Sequence, residues 1–175
     1  MAPAGPPARI AAAVALLDPR PGERVLEFGC GPGVALALVA ERLGDDGLIV
    51  GIDRSATAIE RATGRNAAAL AAGRAKLHEC ALADFDAPPG AFDAAFAVNV
   101  NLFWTSPAER ELAVLARVLR PAARFHLLYD MPGGQQDGVG DKLARVAAAV
   151  AAHSFERVET ARLDGAVAVS ATNAR

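Results

Sequence analysis

The stretch "VLEFGCGPG", Val25–Gly33, runs from apolar residues into an acid and then sets glycines at positions 29, 31 and 33. The apolar part, with Arg24 before it, predicts a buried strand over 24–28. The helix "VALALVAERLG" follows and stops at Gly44. Glycines between a strand and a helix let the backbone turn tightly and approach a ligand with no Cβ in the way. The helix presents free N–H groups and the positive end of its dipole to the same point. A dinucleotide turn reads GxGxxG, but the sixth position here is Val34. Glu27 would also set a carboxylate beside a diphosphate, which is electrostatically unfavourable. The same carboxylate suits an ammonium group and ribose hydroxyls, so the loop favours a cationic nucleoside.

Outward from this loop the pattern alternates. "ARIAAAVALL" (8–17) predicts a short helix after a Pro/Gly-rich arm, and "DPRPGE" a turn. "GLIVGID" (47–53) is a second strand ending in an acid, and Ser55 is placed to cap a long Ala-rich helix reaching about 72. "AKLHECAL" (75–82), "FDAAFAVNV" (92–100) and "ARFHLLYD" (123–130) are three more strands. Before the last of these, "SPAERELAVLARVL" shows a helix start with Ser106 as cap, Pro107 at the first position and Glu109 closing a capping box. A helix is expected at about 141–152. "FERVETARL" and "AVAVSATN" flank "DG", a hairpin signal. Strands alternating with helices imply a mostly parallel sheet covered on both faces. The expectation is an α/β, Rossmann-like, doubly wound sheet of seven strands with a C-terminal antiparallel hairpin. It forms a single domain over 1–175: an arm and short helix (1–20), a ligand-binding core (21–130), then a loop, helix and hairpin (131–175). Ligands of such sheets sit at the carboxyl ends of the strands, near the switch in strand order.

Composition excludes several classes. The net charge is −2, so no basic face for nucleic acid is indicated. No apolar run is long enough to span a bilayer, and "MAPAGPPARI" lacks the layout of a signal peptide, so no membrane association is expected. Two cysteines, Cys30 and Cys80, make no disulfide framework and point to a reducing, cytoplasmic setting. The three histidines, His78, His126 and His153, show no metal-ligand spacing, and no metal site is expected.

"VLEFGCGPG" resembles motif I of the class I S-adenosylmethionine-dependent methyltransferases, and "VGIDRS" resembles the acidic motif after their second strand. "LADFDAPPGAFDAAFAVNVNLFW" and "LARVLRPAARFHLLYD" resemble the later motifs in the expected order, over roughly 20–130. The likeness is greatest to the small-molecule branch that includes quinone-biosynthesis methyltransferases. It implies S-adenosylmethionine as cofactor. Gly29, Cys30, Gly31 and Gly33 would lie along its methionine and ribose parts, with Glu27 near the amino group or organising the loop. Asp53 would accept both ribose hydroxyls and Arg54 would flank the adenine. Asp84 would accept from the adenine amino group, the Phe85 N–H would reach a ring nitrogen, and Asn99 would sit near the methionine end.

Each assignment has a plainer counterpart. Glu27 can be a partner of the helix N-terminus, Asp53 a cap of the next helix, Asp84 and Arg54 solvated charges, and Phe85 core. For the acceptor, "NVNLFWTSP" (99–107) is the candidate floor. Asn101 is a hydrogen-bonding candidate there, Trp104 and Tyr129 are candidate walls, and Phe103 is read as an anchor. Ala122 and Ala123 stand where the family commonly has a Pro-Gly-Gly turn. The arm 1–20 and loop 131–140 are the only segments available as covers. A second wall could also come from another subunit, so monomer and homodimer both stay open. The reading is a methyltransferase acting on O, N or C of a small molecule, with no obligatory catalytic residue. The alternatives are a non-catalytic cofactor-binding module and a nicotinamide-dependent oxidoreductase, the latter disfavoured by the glycine spacing.

Overall fold

The computed structural model describes residues 6–131, 138–163 and 165–175. Helix α1 (Ala8–Leu17) leads into strand β1 (Arg24–Phe28), then α2 (Val34–Leu43) and β2 (Leu48–Asp53). Next come α3 (Ala56–Arg65), α4 (Ala67–Ala71), β3 (Ala75–Glu79) and a 3-10 turn (Leu82–Asp84). They are followed by β4 (Phe92–Val98), α5 (Leu102–Thr105), α6 (Glu109–Val118) and β5 (Leu119–Asp130). Helix α7 (Val139–Ala151) and strands β6 (Phe155–Leu163) and β7 (Ala166–Asn173) complete the chain.

The seven strands form one sheet in the order β3-β2-β1-β4-β5-β7-β6. Strands β1 to β5 are parallel, and β7 runs antiparallel to both β5 and β6. The order reverses between β1 and β4, so the switch point lies where the glycine loop leaves the sheet. Strands β1, β2 and β4 are buried on both faces, which is why they read as apolar runs rather than alternations. One face packs on α1 and α2 through Val25, Ile49, Ala94 and Phe96. The other packs on α6 and α7 through Leu26, Val50, Phe125 and Val169. No helix among the described residues is long and apolar enough to cross a membrane, and no cluster of potential metal ligands occurs among them.

Three local expectations need correction. The helix starting at Ser55 does not run to 72. Ser55 does cap it, accepting from Ala58 N at 3.3 Å. The helix breaks at Asn66, whose buried side chain donates to Gly33 O (3.0 Å) and Ala62 O (2.9 Å). The Ser106 capping box does not form. Ser106 closes α5 instead, its hydroxyl donating back to Leu102 O (3.2 Å), and α6 begins behind Ala108 at φ 51°. Finally, β3 ends at Glu79, and β5 starts four residues earlier than expected, at Leu119. The hairpin forms as expected, with Gly165 at φ 68° in its turn. Its Asp164, and most of loop 131–140, lie outside the described residues.

Candidate functional site

Strand β1 delivers the glycine loop to the carboxyl edge of the sheet, and hydrogen bonds fix the loop's shape. Cys30 N donates to Ile52 O (3.0 Å) and Gly33 N to Cys30 O (3.0 Å). Gly31 N donates to Asp53 Oδ2 at 2.9 Å, while the other oxygen of Asp53 accepts from Ser55 N at 2.9 Å. Asp53 therefore joins the loop to the start of α3, and each oxygen keeps a lone pair for a ligand. A side chain at Gly33 would collide with Asn66 and Ala62, so this glycine allows close helix packing. Gly31, at φ 52°, is different: a Cβ there would meet nothing within 4 Å. The loop is bare on the side that faces open space.

Beside the loop lies a cleft of about 530 Å³, which the loop lines through Gly29. Phe28, Gly29 and Asn99–Asn101 form one wall, and Ile52, Asp53 and Arg54 the floor. Cys80–Leu82 form a second wall, and Leu102, Thr105 and Glu111 close the end. Of the residues the sequence singled out, Gly29, Asp53, Arg54, Asn99 and Asn101 meet here.

Glu27 lies beneath the loop, 3% exposed, with Oε2 unpaired among the described residues. Burial pushes its carboxyl up to about 8; the Leu36 N–H at the start of α2 pulls the other way, and the Asp53 charge adds to the rise. It thus serves the helix N-terminus and retains an unsatisfied acceptor beside the loop. Burial likewise pushes the Cys30 thiol up to about 12, helped by Glu27 and Asp53, so no reactive thiolate is present. Asn99 adopts φ 59° and pairs with Asp130 in both directions. Its Oδ1 accepts from Asp130 N (2.7 Å), and its Nδ2 donates to Asp130 Oδ2 (3.2 Å).

Glu27, Cys30, Gly31 and Gly33 belong to the loop or its base without lining the cleft, and four further candidates, Asp84, Phe85, Trp104 and Tyr129, are not in its lining either. Asp84 is exposed and ion-paired with Arg110 at 3.4 Å. Phe85 is buried between His78 and Phe92, and its N–H is taken by Leu82 O. The wall there is made by Cys80, Ala81 and Leu82, because the chain turns into its 3-10 segment before Asp84 is reached. Trp104 and Tyr129 pack on each other, centroids 4.4 Å apart, with Lys142 Nζ 5.1 Å from the indole centre. Trp104 faces a separate groove beside Lys142 and Arg145, while the buried Tyr129 hydroxyl is shifted upward by burial. His126 is a packed histidine, its Nδ1 2.9 Å from Ser170 Oγ; burial, with help from Arg124, lowers it to about 4. The sequence reading missed Glu111 and the Cys80–Leu82 wall. Only the helix start at Glu109 and the early end of β3 reveal them.

A bare loop facing open space, an acid with spare lone pairs beside it and a buried carboxyl with one unsatisfied oxygen fit a cationic nucleoside. Comparisons with known proteins agree. Residues 25–122 match the family model described as "Methyltransferase domain". The chain is 41% identical over 118 residues to a nocamycin O-methyltransferase of Saccharothrix syringae, covering 67% of this chain and 41% of that protein. It is 31% identical over 118 residues to a 2-phytyl-1,4-naphtoquinone methyltransferase of Trichormus variabilis, covering 67% and 51%. The chain thus spans about half or less of these relatives' length. A solved SAM-dependent methyltransferase of Aquifex aeolicus superposes with TM-score 0.77 at 17% identity, covering 94% of this chain and 89% of that one. With more than half its length inside the family model and the fold and cleft in place, the chain belongs to the class I S-adenosylmethionine-dependent methyltransferases.

Proposed function

We propose that this chain holds S-adenosylmethionine in the cleft of Gly29–Gly33, Asp53 and Cys80–Leu82 and methylates an O, N or C atom of a small molecule. The observation that carries the reading is the open cradle at Gly31 with Asp53 beneath it. Asp53 accepts from the ribose hydroxyls with the lone pairs its backbone bonds leave free. The unpartnered oxygen of Glu27 accepts from the ammonium group of the amino-acid end, whose charge would favour the ionised carboxylate. Gly29 and Asn99 line the methyl-bearing end, and Asn101 faces the acceptor. The acceptor reading rests on the small-molecule methyltransferases among the relatives, by their names.

The bound cofactor supplies a methyl group on a positively charged sulfur, already a good leaving group. What remains for the protein is to align the acceptor and exclude water. Alignment of that kind is worth roughly 7–11 kcal/mol in favourable cases. Among the described residues, Asp53 and Glu111 are the carboxylates lining the cleft, and neither histidine nor lysine lines it. The acceptor is therefore expected to lose its proton without a dedicated base.

Calorimetry tests the reading. S-adenosylmethionine and its demethylated product should bind and NAD should not. Asp53→Ala should weaken binding by about 1–3 kcal/mol. Binding of NAD alone would overturn the assignment. Cofactor binding without methyl release across a broad panel of small molecules would reduce the chain to a binding module.

A further inference from the structure

Within the cleft, the purine base has no reader assigned to it. The acid expected to take the adenine amino group, Asp84, is turned away. The loop that carries it is strapped along α6: Arg110 holds Asp84 at 3.4 Å, and Arg117 holds Asp86 at 3.3 Å. Arg117 also donates to the carbonyls of Ala87 and Phe85. The residues that do line the cleft there, Ala81 and Leu82, carry no polar side-chain atom. The Ala81 carbonyl is already used, accepting from Asp84 N at 3.0 Å.

The same strapping lays the first turn of α6 against the end of the cleft. Arg110 points to the loop and Leu112 into the core. Glu111, between them, lines the cleft near the Cys80–Leu82 wall. Glu111 makes no ion pair or side-chain hydrogen bond with a described residue. It sits where the helix end's partial positive charge complements a carboxylate.

We propose that Glu111 is the base-reading residue of this cleft: its carboxylate accepts a hydrogen bond from the exocyclic amino group of the cofactor's adenine and selects adenine over 6-oxopurine. The inference rests on the cofactor reading given above. A carboxylate accepts from the amino group of adenine and faces the carbonyl oxygen of hypoxanthine with repulsion. A site built around such a contact rejects the wrong partner, because a half-buried carboxylate covered by the base is left unpaired.

The test is calorimetric and needs no acceptor. S-adenosylhomocysteine and S-inosylhomocysteine are titrated into the full chain, wild type and variants, with circular dichroism confirming the fold. The wild type should prefer the adenosyl compound by at least about tenfold. Glu111→Ala should bind it more weakly and lose most of the preference. Glu111→Gln, whose amide can donate to the 6-oxo group, should bind the inosyl compound better than the wild type does. A folded Glu111→Ala that keeps the full preference would overturn the inference, as would a Glu111→Ala that binds both compounds normally. If the wild type binds neither compound, it is the cofactor reading that fails.

Discussion

A carboxyl group that is 3% exposed, as Glu27 is, must either find a partner or give up its charge. One oxygen of Glu27 lies near the first turn of α2 and the other has no protein partner, so burial wins and the group holds its proton up to about pH 8. The consequence for stability has a definite sign. In the unfolded chain the group ionises near its ordinary value of 4.5. The folded form retains the proton through the interval above that value. The contribution to stability is therefore fully present below the unfolded pKa and is lost as pH rises through the folded one. Glu27→Gln, which is neutral throughout, should melt higher relative to wild type at about pH 8 than at about pH 5, both without cofactor. Equal differences at the two pH values would mean that Glu27 does not titrate as described. Asp53 is the contrasting case. Its oxygens accept from backbone N–H groups and it lines the cleft, so it is a structural clasp that, under the proposed function, also accepts from the ligand. The sequence reading set those two roles against each other; the geometry lets one side chain fill both.

At the scale of elements, one strained position lies inside β5, between its first residue Leu119 and the run from Arg124 that pairs with β4. Ala122 adopts φ 60°, a conformation in which a Cβ crowds the backbone and which costs an L-residue roughly 1–2 kcal/mol. It is exposed, so its methyl group loses little packing if removed. Ala122→Gly should therefore stabilise the protein by about 0.5–1 kcal/mol in urea denaturation, after the larger entropy of glycine in the unfolded chain is deducted. A destabilised variant would show that the turn relaxes around alanine. The departure from a Pro-Gly-Gly turn was legible from residues 121–123, but not the left-handed backbone that alanine is forced to adopt. The strands were legible for two reasons: the buried parallel strands β1, β2 and β4 are written as short apolar runs, and the antiparallel pair β6 and β7 is marked by the DG turn between them. The helix boundaries that failed were those decided by tertiary partners. Asn66 breaks the third helix because its amide reaches Gly33 O, 33 residues away. Ser106 does not start α6 because the chain turns again at Ala108, φ 51°, which precedes the helix; the Ser106 hydroxyl donates to Leu102 O and accepts from Ala108 N instead. The same limit applies to Asp84: the family resemblance implied an adenine contact for it, but Asp84 pairs with Arg110 and Asp86 with Arg117, both on α6.

Across the whole molecule, stability and ligand chemistry sit at opposite ends of the sheet, and α1 spans the distance between them. Near the carboxyl ends, Arg9 of α1 meets Asp130 at 3.3 Å, and Asp130 is held in turn by Asn99 at the cleft. At the amino ends, Arg124 forms a fork on Glu23, with contacts of 3.0 and 2.7 Å, and donates to the last carbonyl of α1, Leu17 O, at 3.2 Å. Both partners are largely buried, with side-chain exposures of 21% and 11%. Burial alone would raise the Glu23 carboxyl, but the bonds from Arg124 and from Arg20 N outweigh it and hold the group below its ordinary value. Stability from Glu23 is thus present above the unfolded pKa of about 4.5 and is lost as pH falls through the lower folded value. Arg124→Met keeps the aliphatic stem but strands the carboxylate and the Leu17 carbonyl, so it should cost about 2–4 kcal/mol in urea denaturation at neutral pH. Adding Glu23→Met should recover part of that loss, because the stranded charge is gone. The affinity for S-adenosylhomocysteine should stay within about twofold of wild type, since the pair lies at the edge of the sheet remote from the cleft. A large fall in affinity in the folded variant would mean that α1 transmits strain from one end of the sheet to the other, and that the two ends are not independent.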